Sequence, residues 1–93
     1  MKKEIKVQLD PKEWEGIYSN FLLITNSQTE FILDFARMMP GNNQAKIFSR
    51  IITNPANFKL FVKQMEEVLK KFEEKNGEIN IDQINTANKT IGF

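Results

Sequence analysis

Apolar positions crowd into three runs in the first half of the chain, Ile17–Thr25, Glu30–Met39 and Ala45–Thr53. A strand with one wet face alternates apolar and polar residues, because successive side chains point to opposite faces. These runs do not alternate cleanly. Phe31, Leu33 and Phe35 share one parity, while Ile32, Ala36 and Met38 take the other. Such runs read as strands covered on both faces. Ahead of them, Ile5, Val7 and Leu9 alternate with Lys6 and Gln8, which predicts a short amphipathic strand ended by Asp10-Pro11. Asn26-Ser27-Gln28-Thr29 and Pro40-Gly41-Asn42-Asn43 supply turn residues between the apolar runs. The expectation is an antiparallel meander of about four strands near 5–9, 17–26, 30–39 and 45–53.

The period changes after Asn54-Pro55. Asn is a favoured N-cap and Pro suits the first helical position. Phe58, Phe61, Val62, Met65, Val68, Leu69 and Phe72 then recur at helical spacing. Glu66/Lys70 and Glu67/Lys71 are i,i+4 pairs in the favourable order, and Gly77 suits the residue after the last turn. The spacing predicts one helix over 55–76. The fold class is therefore α+β, a small antiparallel sheet with a long C-terminal helix packed on one face. Residues 1–79 make the domain, and 80–93, polar apart from Ile81, Ile84, Ile91 and Phe93, read as a flexible tail.

Cross-strand pairing can be read from charge and shape. In the second hairpin, Asp34 opposite Arg50 brings Ile32 to Ile52 and Leu33 to Ile51. In the first, Leu23 opposite Leu33 brings Phe21 to Phe35 and Ile24 to Ile32. One face then holds Phe21, Leu23, Phe31, Leu33, Phe35, Ile47 and Ile51, and takes the helix. The other holds Tyr18, Leu22, Ile24, Ile32, Phe48 and Ile52 around Asp34 and Arg50. One helix covers one face. These eight residues are the expected partner interface, and Trp14 is expected to pack over a sheet edge.

Composition narrows the chemistry. The 93 residues include no Cys and no His, which removes disulfides, Cys/His zinc sites and the commonest general base and thiol nucleophile. No phosphate-binding glycine motif is present. Glutamates 66, 67, 73 and 74 are interleaved with lysines and read as a solvated helix face rather than a metal patch. No catalytic, metal or cofactor residue is expected, and no enzyme activity. Arg37, Lys46 and Arg50 with Phe48 and Tyr18 suggest a small basic–aromatic surface of the kind that binds single strands. The net charge of +1 argues against direct nucleic-acid binding. No run is long and apolar enough for a membrane span, and Met1-Lys2-Lys3-Glu4 has no signal-peptide core behind it. A cytoplasmic protein is expected. A domain this small often gains stability by oligomerising. The function expected is thus protein–protein interaction, by self-association or as an accessory subunit of a larger complex.

Tyr18-Ser19-Asn20, Glu30-Phe31-Ile32-Leu33-Asp34-Phe35, Ser49-Arg50-Ile51-Ile52, Asn54-Pro55, Phe72-Glu73 and Gly77-Glu78-Ile79 together resemble a family of short bacterial and archaeal proteins catalogued as a domain of unknown function. The match spans residues 18–79. It departs at Phe72, where the family often has Tyr. The resemblance implies a small antiparallel sheet followed by a long helix. By fold analogy the layout is also similar to SecB-type chaperones, which implies binding of extended polypeptides as the alternative function. The resemblance further implies the large RNA polymerase subunits as a partner, through genes encoded beside them.

Overall fold

Three runs of β-branched and aromatic residues separated by turn residues become three strands. A computed structural model of the chain describes residues 4–41 and 43–81. In it β1 is Phe21–Asn26, β2 is Phe31–Met38, β3 is Ala45–Thr53 and α1 is Pro55–Asn76. The sheet is antiparallel in the order β1-β2-β3. The fold is α+β, as the residue pattern predicts, with three strands rather than about four. Residues 5–9 join no strand. Ile5, Val7 and Leu9 stand exposed, ahead of a short 3-10 turn at Pro11–Glu13. The expected tail lies outside the described residues from 82 onward.

The central strand carries the core. Leu33 is 4% exposed and Ala36 is fully buried. In the second hairpin Asp34 pairs with Arg50, Ile32 with Ile52 and Leu33 with Ile51, as expected. The first hairpin is shifted by one residue: Leu23 faces Asp34, Ile24 faces Leu33 and Leu22 faces Phe35. Side chains alternate, so a one-residue slip moves a whole strand's set to the other face. The turn decides the register. The Ser27 N–H donates to the Glu30 carbonyl at 2.9 Å, and Ser27 Oγ accepts from the amides of Thr29 and Glu30. This closes a four-residue loop, where the expected pairing needs three.

The far end of β1 is clamped as well. Met38 N–H donates to Asn20 Oδ1 at 2.8 Å, and Asn20 Nδ2 donates back to the Met38 carbonyl at 3.1 Å. Ser19 Oγ donates to the Ala36 carbonyl at 2.8 Å. With the Asn20 N–H donating to the Ala36 carbonyl at 3.2 Å, the Ser-Asn pair thus extends the ladder with side chains as well as backbone.

A second departure lies between Phe35 and Ala36, where the β2–β3 register shifts. Such a bulge sets two residues against one and re-aims a side chain. Ile47 now pairs with Ala36, and Phe48 turns toward Arg37, Phe35 and Ile51. The two faces are therefore regrouped. Face one holds Leu22, Ile24, Phe31, Leu33, Phe35 and Ile51, with Phe48 beside them. Face two holds Phe21, Leu23, Ile32, Ile47 and Ile52 around Asp34 and Arg50.

The helix does not lie on either face, which corrects the expected packing. Only Asn54 separates Thr53 from Pro55. Its side chain accepts from the Asn57 N–H at 2.8 Å, so the junction residue is also the N-cap. Strand-to-helix connections that fold back ordinarily take about 2–6 residues. With one, α1 leaves the end of β3 and projects. Phe58 stacks on Phe31 with ring centroids 4.1 Å apart, and no helix residue is fully buried. Gly77, at φ +94°, then ends α1, and its N–H donates to the Glu73 carbonyl.

Leu33→Ala removes the one large apolar side chain that is buried among the described residues. The expected cost is about 2–5 kcal/mol. Denaturant unfolding followed by circular dichroism checks it, and a midpoint unchanged from the parent would show that Leu33 is not core.

Candidate interaction surface

Face two is organised by one ion pair. Arg50 Nε donates to Asp34 Oδ1 at 2.7 Å and Nη2 donates to Oδ2 at 3.0 Å, a two-point fork. Direct opposition on adjacent strands brings the two groups together. The carboxylate is buried beneath the guanidinium, which is itself well exposed. The hydrogen bond from Arg50 holds the Asp34 carboxyl below its ordinary value against the opposing effect of burial, and the same bond raises Arg50. Ile52 and Leu23 stand exposed around the pair. A charged fork ringed by apolar side chains suits recognition, since it can orient a partner that the apolar rim holds.

Face one ends in a basic–aromatic cluster. The Arg37 guanidinium lies 5.6 Å from the Tyr18 ring centre and 5.7 Å from that of Phe48, and Lys46 Nζ lies 5.9 Å from Phe48. These are cation–π distances. Arg37 Nε is buried and finds no hydrogen-bond partner among the described residues. Elsewhere face one exposes Leu22, Ile24 and Ile51 around Leu33, with the uncharged Asn26, Ser49 and Thr53 toward its margins.

The third surface is the helix. Its apolar stripe is uncovered from Phe61, 38% exposed, to Val68, 61% exposed, and Phe72. Past Gly77 the chain turns back, and Ile79 N–H donates to Glu73 Oε2 at 3.0 Å. Ile79 thereby closes an apolar groove of about 580 Å³ along Met65, Val68, Leu69 and Phe72.

The eight residues expected at one interface fall on two faces. Ile32, Asp34, Arg50 and Ile52 are together on face two, while Leu22, Ile24, Phe48 and Tyr18 belong with face one. The basic–aromatic grouping forms without Arg50, which is on the opposite face. Trp14 does not cover a sheet edge. It is 68% exposed and donates from Nε1 to the Leu9 carbonyl at 3.3 Å. Sequence reasoning missed the helix stripe as a surface by assigning it to the sheet. The one-residue spacing between the last strand residue and Pro55 is the signal that reveals it. Among the described residues, no group of Asp and Glu side chains has metal-site geometry, and no helix is long and apolar enough to cross a membrane.

The ion pair sets a pH dependence. The folded Asp34 carboxyl sits below its unfolded value, so its contribution is fully present above the unfolded carboxylate pKa of about 3.9 and is lost as pH falls through the lower folded value. Unfolding free energy measured from neutral pH to below pH 4 is expected to drop in acid. Arg50→Gln should shrink that drop. Equal acid slopes in parent and variant would show that the fork does not hold the carboxylate.

Comparison with curated proteins gives no match, and neither does comparison with solved structures. A family model does match, and it covers residues 1–81, the sheet and the helix together. The chain thus belongs to the family described as "Protein of unknown function (DUF3467)".

Proposed function

We propose that this chain acts without catalysis, as a small interaction subunit whose fold is completed by another protein surface. The observation that carries this reading is the uncovered apolar stripe of α1, together with exposed Leu, Ile and Phe side chains on both sheet faces. Contiguous apolar patches beyond a few hundred Å² mark interaction sites. The side chains on the surface support binding rather than chemistry. The polar groups that converge are an Asp–Arg fork and a cation between two rings, and each is engaged in holding the sheet's own geometry.

Face two suits the docking role, with Asp34 and Arg50 framed by Ile32 and Ile52. A larger complex is the partner class, and the large RNA polymerase subunits are the candidate that the family resemblance suggests. The alternative is a SecB-like chaperone that holds extended polypeptide in the apolar groove along α1. Affinity purification of the tagged chain from its native host, with mass spectrometry, separates the two. One stoichiometric partner, lost on Ile52→Lys while the circular dichroism spectrum is kept, supports the accessory subunit. Many sub-stoichiometric unfolded clients support the chaperone. Recovery of neither, from a parent that remains a folded monomer, overturns the proposal.

A further inference from the structure

We infer that the occupant of the helix stripe is a second copy of this chain, and that α1 of each copy covers face one of the other. The inference rests on the reading that the chain works by association, and it names what covers α1 first.

The argument begins at Asn54. A helix with a broad apolar face and a sheet with an apolar face are complementary surfaces on one chain. The one-residue junction holds them apart within that chain. The same contacts are available between two chains, and a short hinge favours that exchange. Stripe width points to a sheet rather than to a paired helix. Phe58, Phe61, Met65, Val68 and Phe72 follow a heptad seam, but Val62 and Leu69 add a third position per heptad. A two-helix coiled coil uses the narrow seam, and the wider face belongs to a helix buried on a broader surface. Length agrees too. The stripe from Phe58 to Phe72 rises about 21 Å, and the six residues of β1 span about 20 Å.

Face one is the receiving face because its centre carries no charge. Leu22, Ile24, Phe35 and Ile51 surround Leu33 there, whereas Asp34 and Arg50 occupy the middle of face two. Phe58 already docks on Phe31 at the edge of face one, so the helix leaves from that side. The apolar side chains of the stripe and of face one that stand more than a third exposed present on the order of 1,000 Å² per chain. Obligate homodimers bury about 2,000 Å² or more in total. Two copies therefore match the area that needs covering. Face two stays outward, free for the docking role proposed above.

The chain has no cysteine, which makes cross-linking direct. One chain carrying Leu22→Cys and a second carrying Leu69→Cys are mixed, refolded together and treated with a short bismaleimide. The expected product is a covalent pair containing one of each. Sedimentation equilibrium of the parent should show a dimer, and Val68→Lys should raise its Kd by about tenfold or more. A third variant tests the exchange itself. A Gly/Ser insertion of about six residues between Thr53 and Asn54 reaches the ordinary length of a fold-back connection. It should give a folded monomer with the parent's helix content. A dimer that survives the insertion would show that the helices pair with each other instead. A parent that is monomeric at high micromolar concentration overturns the inference, and if that monomer still captures one stoichiometric partner, the interaction reading stands without it.

Discussion

A single residue lies between the last strand and the helix, and most of the surface follows from it. Asn54 caps α1 while Pro55 begins it, so the backbone has no length in which to reverse. The helix projects, and its apolar stripe and the sheet's apolar face remain apart. Burial of a large apolar side chain is worth about 1.5–3 kcal/mol. Several such side chains left half-exposed weigh heavily in a domain whose total stability is on the order of 5–15 kcal/mol. The junction thereby leaves exposed the apolar side chains that a fold-back helix would have buried against the sheet.

Inside the chain, order is concentrated in the central strand. β2 is hydrogen-bonded on both sides and holds Leu33, Asp34 and Ala36, the buried residues among those described. Its polar member is satisfied. Asp34 gives both carboxylate oxygens to Arg50, so the cost of burying a charge is offset by a two-point charged hydrogen bond. Ser19 and Asn20 complete the ladder at one end, and Ser27 closes it at the other. This accounts for part of the Tyr-Ser-Asn motif without any ligand: two of its three side chains hold the sheet's edge, and the third lies against Arg37. The polar residues of the sheet thus set register and orientation, and the apolar ones supply area.

What could be read from the residues divides along physical lines. The bounds of β3 and α1, the Asn-Pro start of the helix, the Gly77 stop and the Asp34–Arg50 pairing were legible, because each rests on local chemistry or on one strong cross-strand charge match. The register of β1 was not. Phe21-Leu22-Leu23-Ile24 is apolar on both parities, so hydrophobic pattern cannot distinguish a strand from its one-residue slip. The deciding interaction is the Ser27 side chain in the loop, which selects four residues over three. The bulge after Phe35 has no signature in the apolar pattern either, and it alone carries Phe48 to the side of Arg37. The interface residues expected together were therefore split between two faces.

By itself the sequence determined the element types, the α+β class, the absence of Cys and His chemistry, and strands and a helix that each carry apolar positions. Periodicity and caps act within a few residues, so they are written locally. Tertiary structure decided which side chains share a face and whether the helix meets the sheet. Those outcomes depend on loop geometry, on a bulge, and on the reach of a one-residue hinge. None of these changes the pattern of apolar and polar letters, yet each changes where the letters end up in space.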